Sequence, residues 1–380
     1  MLNLGVIGYG GRIHQVVTLL LDSGKCALCA IADKNISGVK EKFDYLADLK
    51  GVTYYSSARE MLDTEKLDGV LIGTNCNSHT EYALLCAEYK LPMFLEKPVC
   101  TTYDDLNKLK SILFMDNKTV VSFPLRATVL VEYMKEIIDS GRLGELSQVQ
   151  AYNNVTYASG YYHKWYRDDS ITGGLFLQKA THDIDYVNYL LGGIKPVSVV
   201  GMKSKQIFKG DKPAGYKCCD CPEKDTCQEG PTRLQKNNPK MILGEYCAFA
   251  KDTGNEDSGT CIIEYETGLH VVYTQNFVAR NEAGKRGCRV IGYKGTLEFD
   301  FITGVVTFYS HEERVKEVKS FEIGTGHFGG DNALCDSFIA IMEGSEVSVA
   351  PLREGILSAE LCLGAKKSAE EHVFVPVEAL

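Results

Sequence analysis

Over roughly the first third of the chain, short apolar runs alternate with longer segments whose apolar positions recur every three or four residues. The runs predict strands at 2–7, 27–32, 69–72, 92–95 and 119–122. The periodic segments between them predict helices at 13–21, 39–49, 80–89 and 103–114. Strands alternating with helices of this length form βαβ units and a parallel sheet. Right-handed crossovers then carry the carboxyl ends of the strands, and the loops that follow them, to one edge. After residue 123 the pattern changes. A helix is predicted over 127–138, followed by alternating segments at 147–156, 260–265 and 269–276, the last two joined through Thr267-Gly268. Segments 289–291 and 296–299 flank a turn at Lys294-Gly295, which completes an antiparallel signature. Asp331 is the predicted N-cap of a further helix, and another is predicted over 352–369. Residues 204–258 break the alternation, being polar and Cys-rich, and are read as an insertion. The expected fold class is α/β: a doubly wound parallel sheet over 1–122, then an α+β unit over 123–380 built on a large, mainly antiparallel open sheet.

Composition narrows the function classes. The length of 380 residues fits two domains, and 44% apolar with 24% charged residues is the balance of a globular protein. No apolar run approaches the roughly eighteen residues that span a bilayer, so no membrane association is expected. Met1 to Ile7 leads straight into a glycine turn with neither a basic region nor a cleavage site, so a cytoplasmic protein without a signal peptide is expected. A formal charge of −9 argues against a nucleic-acid partner, which would require a basic face. The fourteen cysteines do not form a secreted disulfide framework, because most sit singly inside apolar stretches.

Chemistry enters at three places. Gly8-x-Gly10 stands between a strand and a helix, the setting a dinucleotide fingerprint requires. Gly8 permits the turn, and Gly10 lets the backbone approach a pyrophosphate at the helix N-terminus. Ile13 occupies the third fingerprint position in place of Gly or Ala, and Gly11 is expected to ease the close approach instead. Asp33 ends the second strand, where a carboxylate accepts ribose hydroxyls and repels a 2′-phosphate. NAD is therefore the expected cofactor, with Lys34 leaving dual use open. Lys97 follows the strand at 92–95, which places an amine near the nicotinamide, able to exchange a proton with a carbonyl or hydroxyl oxygen. Glu96 is expected to position it and Pro98 to stiffen the turn.

Gly8-Tyr9-Gly10-Gly11-Arg12, Ile72-Gly73-Thr74-Asn75-Cys76-Asn77-Ser78-His79 and Glu96-Lys97-Pro98 together resemble the glucose–fructose oxidoreductase / inositol dehydrogenase family, usually called Gfo/Idh/MocA. The likeness covers nearly the whole chain. It implies a Rossmann first domain, cofactor contacts from the Gly8–Ile13 turn and the loop carrying Thr74, Asn75 and His79, and contact of Lys97 with nicotinamide ribose and substrate. It further implies a sugar, polyol or glycoside substrate oxidised at a secondary hydroxyl, and a homodimer or homotetramer. His79 is expected to be structural. The chain departs from the family where an Asp commonly stands four residues before the active-site His: here Gln178 takes that position and Lys179 stands beside it. His182 and Asp185 match the family's His-x-x-Asp. An amide can hold a sugar hydroxyl but cannot take its proton, so the base role passes to His182 assisted by Lys97. Lys179, titrating near neutrality in a partly dry pocket, is a second candidate.

The segment Tyr161–Asp168 contains the single tryptophan. It is read either as a substrate cover, with Trp165 packing on a sugar face and His163 and Arg167 gripping hydroxyls, or as a packed loop or subunit contact. His327 is read as reaching the site or as a helix entry alone. Cys218-x2-Cys221 with Cys227 and Cys247 would complete four thiolates, suited to zinc, slightly preferred, or an iron–sulfur cluster; unligated thiols are the alternative. The expected function is NAD-dependent hydride transfer at a sugar hydroxyl. Its rivals are an NAD-dependent glycosidase acting by transient oxidation and elimination, and a non-catalytic NAD- or sugar-binding regulator.

Overall fold

The computed structural model describes residues 1–43, 49–157, 160–237, 244–322 and 325–378. Strands β1 (Leu2–Ile7), β2 (Cys26–Ala32), β3 (Thr53–Tyr55), β4 (Gly69–Ile72), β5 (Met93–Leu95) and β6 (Thr119–Val121) form a parallel sheet in the order β3-β2-β1-β4-β5-β6. The order reverses between β1 and β4, which opens a crevice at the strand ends. The first helix, Gly11–Asp22, buries Ile13, Val16, Val17 and Leu20, the i, i+3, i+4, i+7 stripe of an amphipathic helix on a sheet. The predicted strands all form. The unforeseen β3 has three residues on a sheet edge, too few for a period to show, and the helix Ala58–Thr64 after it was equally unmarked. The helix expected over 39–49 is Ile36–Phe43, with 44–48 outside the described residues.

The second sheet comprises β7 (Leu146–Asn154), β8 (Pro196–Ser204), β9 (Ser258–Tyr265), β10 (His270–Asn276), β11 (Lys285–Gly292), β12 (Gly295–Asp300), β13 (Val305–Ser310), β14 (Lys316–Ser320) and β15 (Val375–Pro376). Its order is β14-β13-β12-β11-β7-β10-β9-β8-β15, antiparallel except where β7 meets β10. The helix Ala180–Leu191 is buried along almost its whole length. It is tied to the sheet by Tyr265, whose hydroxyl donates to Asn188 at 2.6 Å, and by Tyr273 and Arg286, which both donate to Asp183. C-terminal helices return to the first sheet: Phe338 of Gly330–Met342 meets Phe94 of β5 with ring centroids 5.9 Å apart. One apolar core thus runs through both sheets.

The insertion is a single long connection of a β-hairpin. Ser204 of β8 and Ser258 of β9 face each other with hydroxyls 2.8 Å apart, and residues 205–257 leave and return between them. A small apolar cluster that includes Tyr162, Phe208, Ala248 and Phe277 fastens it, with Tyr162 stacked on Phe208 at 3.9 Å.

Asp185 was expected at the substrate. The structure instead pairs it with Arg126, at 3.0 Å from Nε and 2.5 Å from Nη2, and Arg126 also reaches Glu354 at 3.1 Å. The guanidinium thereby joins the helix Ala180–Leu191 to the helix Leu352–Glu371. Removing the carboxylate leaves the buried guanidinium with Glu354 as its one remaining counter-charge. Asp185→Ala is expected to lower unfolding free energy by about 3 kcal/mol, read from the urea midpoint. An unchanged midpoint would refute this role.

Candidate functional site: a crevice and a buried basic cluster

The crevice above the β1–β4 switch point has a volume of about 340 Å³ and is lined by Gly8, Gly10, Asp33, Thr74 and Asn75 among others. Gly8 has φ +81°, and a Cβ there would lie 2.6 Å from the Thr74 side chain. Gly10 caps the first helix, and apart from Gly73 O at 4.0 Å nothing of the protein would meet a side chain at that position. Its bareness keeps the crevice open to a ligand at a helix N-terminus. Asp33 is fixed at the rim by two backbone donors, Tyr9 N–H at 2.9 Å and Asn35 N–H at 2.7 Å. The chemistry and openness of these residues fit a dinucleotide.

The imperfect fingerprint is repaired at a position the sequence reading missed. Ile13 is buried, and the space for it comes from Gly73 at the end of β4, where a Cβ would sit 2.7 Å from Ile13. Gly11, expected to serve this purpose, is exposed and would meet only Lys42 Nζ at 3.9 Å. The side chain of Arg12 points elsewhere, donating to Glu96 at 3.2 Å, Ser122 at 3.2 Å and both oxygens of Asp331 at 2.6 and 3.0 Å. Glu96 therefore holds Arg12 and Ser122, and no hydrogen bond joins it to Lys97 among the described residues. Asp331 lies in the first turn of its helix, and the N-cap is Gly329. His79 bridges the carbonyls of Pro98 (2.7 Å) and Thr74 (3.0 Å), bracing two loops beside the crevice.

Lys97 extends from the end of β5 to the backbone carbonyl of Gln178 at 2.7 Å. Burial, and then the charge of Lys179, lower its pKa to about 8. Gln178 ends the short helix Leu175–Gln178, and its Oε1 is buried without a hydrogen-bond partner. One turn further, His182 is buried with Nδ1 unpartnered, its ring 5.8 Å from that of His327. Burial, then Lys97 and Arg286, keep this imidazole neutral by moving its pKa well below the usual histidine value. Lys179 does not titrate near neutrality as expected. Although burial alone would lower it, Tyr157 and Tyr161 raise it, and its ammonium donates to the Tyr157 hydroxyl at 2.6 Å. Tyr157 and Arg286 carry no sequence signature and were missed.

Of the two readings of the aromatic segment, the packed loop fits the contacts of His163 and Arg167. His163 is bound to Tyr246 O at 2.6 Å and lies 3.7 Å from Glu229; Arg167 donates to Asp252 and Thr253, both at 2.7 Å. Both side chains are buried under the insertion, which uses them as anchors. Trp165 is 41% exposed and stacks on Tyr166 at 3.9 Å. The thiol of Cys218 lies 3.5 Å from Tyr246 O and 3.8 Å from His163 Nδ1. Among the described residues no group of three or more His, Cys, Asp or Glu side chains is arranged to hold a metal ion. Cys218, Cys221, Cys227 and Cys247 thus give no support to zinc or an iron–sulfur cluster. No helix among the described residues is long and apolar enough to cross a membrane.

A parallel nucleotide-type sheet feeding an open, mainly antiparallel sheet defines a two-part, dinucleotide-dependent class of oxidoreductase. Residues 2–122 match the oxidoreductase family with an NAD-binding Rossmann fold, and residues 131–298 match the GFO/IDH/MocA C-terminal domain. The chain belongs to the Gfo/Idh/MocA family and is an NAD-binding oxidoreductase. It is 24% identical to the oxidoreductase YteT of Bacillus subtilis over 361 residues, covering 85% of this chain and 82% of that relative. It is 25% identical to myo-inositol 2-dehydrogenase of Thermotoga maritima over 196 residues, 50% of this chain and 55% of that enzyme. A solved levoglucosan dehydrogenase, in complex with NADH and levoglucosan, shares the fold with a TM-score of 0.76, 19% identity and 100% coverage of both chains.

The repair at Gly73 is testable. Gly73→Ala pushes a methyl into Ile13 and displaces the helix N-terminus. It is expected to weaken NADH binding about tenfold, the equivalent of about 1.4 kcal/mol of overpacking. Gly11→Ala is expected to leave binding within about twofold. Fluorescence titration of NADH distinguishes the two, and equal effects would refute the assignment.

Proposed function

We propose that the chain is an NAD-dependent dehydrogenase that moves a hydride between nicotinamide and a secondary hydroxyl of a sugar, polyol or glycoside. The observation that carries this reading is the reach of Lys97 from the first sheet to the Gln178 carbonyl, one turn before an unpartnered, buried His182. The inositol and levoglucosan dehydrogenases among its relatives support the substrate class. When bound, NAD supplies the hydride acceptor. Gly8, Gly10 and Asp33 hold it, with Thr74 and Asn75 on the opposite wall.

The protein's own groups manage the proton. His182 is neutral; with its proton on Nδ1, it donates a hydrogen bond to the substrate oxygen and orients the hydroxyl toward Lys97. Lys97, with a pKa of about 8, takes the proton. Gln178 Oε1 is free to hold a neighbouring hydroxyl. In the reverse direction the Lys97 ammonium returns the proton to the carbonyl oxygen.

Sugar oxidation requires Lys97 as the free amine, so the rate is expected to rise with pH through about 8 and level off above it. Carbonyl reduction requires the ammonium and is expected to fall over the same interval. Lys97→Met is expected to lower kcat by about 10²–10⁴-fold with NADH affinity retained. NADH formation across a sugar and glycoside panel measures both, and a Lys97→Met enzyme with wild-type turnover would eliminate the assignment. Release of aglycone without net NADH would favour the glycosidase instead.

A further inference from the structure

The substrate side of this site holds more positive charge than its own residues neutralise. The buried ammonium of Lys179 has the Tyr157 hydroxyl at 2.6 Å, and lies 4.6 and 5.3 Å from the ring centroids of Tyr157 and Tyr161. The partner of Lys97 is a backbone carbonyl. Among the described residues neither lysine has a carboxylate within ion-pair distance; the nearby buried pair is Arg286 with Asp183. That carboxylate is fully engaged, accepting from Arg286 Nε at 2.7 Å, Asn153 at 2.8 Å and Tyr273 at 3.0 Å. Arg286 Nη2 is left buried and unpartnered.

The same charges act on the surrounding titratable groups. Besides burial, Lys179 and Arg286 both push Lys97 down, and Lys97, Arg286, His327 and Lys179 all push His182 down. Burial would raise the Tyr157 phenol, yet Lys179 and Arg286 bring it below its ordinary value. Cations withdrawn from water without counter-charge are costly, and a ligand that brings the missing charge recovers that cost. Cofactor phosphates do not supply it, because neither Lys179 nor Arg286 lines the crevice at Gly8–Gly10. A neutral sugar would leave the imbalance in place.

We propose that the substrate is an acidic sugar, a uronate or aldonate or a glycoside of one, with its carboxylate held by Lys179 and the free Nη2 of Arg286. Lys179 sets specificity through charge, while Lys97 and His182 meet the reacting hydroxyl. The proposal rests on the dehydrogenase reading for the reaction but not for the binding.

The test compares matched pairs on the NADH- or NAD-loaded protein: glucuronate with glucose, galacturonate with galactose, gluconate with glucitol, and glucose 6-phosphate as a phosphate arm. Calorimetry reads binding and NADH formation reads turnover. At least one acid is expected to be preferred over its neutral counterpart by about tenfold or more, as one added charge pair in a partly dry site provides. Lys179→Gln is expected to reduce that preference to about threefold or less without altering NADH affinity, and Lys179→Arg to retain most of it. Equal or better use of the neutral sugars, preference for the phosphate over every acid, binding of none of the compounds, or a preference that survives Lys179→Gln each overturns the proposal. Acid binding with no NADH formed would uphold it and sink the dehydrogenase reading. Unselective oxidation of neutral sugars would do the reverse.

Discussion

The hydrogen bond from Lys97 Nζ to the Gln178 carbonyl is the contact on which the site depends. Lys97 leaves the edge of one sheet, whereas Gln178 precedes the helix that lies along the other. Relative movement of about 1 Å would separate them. The surrounding structure is arranged against such movement. Arg12 binds Glu96, the neighbour of Lys97, and at the same time Asp331 on a C-terminal helix. Arg126 binds Asp185, one turn beyond His182, and Glu354 on the last long helix. Each guanidinium spans segments remote in sequence, and each is partly or wholly buried, where planar bidentate geometry matters more than charge alone. Between them they fix the two ends of the arm that carries Lys97 and His182.

The insertion draws on the same chemistry for a different purpose. A polar segment of this length buries too little apolar surface to order itself, so its backbone must find partners elsewhere. It finds them in the 160–168 segment: His163 and Arg167 meet Tyr246, Asp252 and Thr253, while Asn255 donates to the carbonyls of Tyr161 and Tyr166. Ordering of the insertion and ordering of Tyr161 beside Lys179 are therefore one process. Polar side chains in an aromatic stretch could serve a sugar or a packed loop, and here His163 and Arg167 are buried against the insertion.

That ambiguity marks the boundary of what the sequence discloses. Strand and helix periods are local, so β1, β2 and β4 to β6 were legible, as were Gly8, Asp33 and Lys97, whose roles follow from standing at strand ends. Pairings between distant residues have no local signature. The Gly73 that admits Ile13 lies sixty positions away, just after β4. Arg286 occupies an inward position of β11 and reads as one basic residue among several. His182 and Asp185 share a family pattern and a helix, yet one keeps a buried ring nitrogen without a partner and the other pairs with an arginine. Only packing tells them apart.

Gln178 connects these threads. A carboxylate at this position, as the family commonly has, would stand among Lys97, Lys179 and His182 and raise the pKa of each. The amide supplies no such charge. With no carboxylate here to raise it, burial and the charge of Lys179 hold Lys97 at about 8, within reach of neutral pH, and His182 stays an uncharged hydrogen-bond donor. On the proposed mechanism the loss of a carboxylate base is thus offset by a lysine that the same loss makes more basic in function, since more of it is free amine. The change also leaves Lys179 without a counter-charge from the protein, beside an Arg286 whose Nη2 has no hydrogen-bond partner. Proton handling and charge preference are then two consequences of one substitution, which is why altering Gln178 to a carboxylate would have to disturb both together.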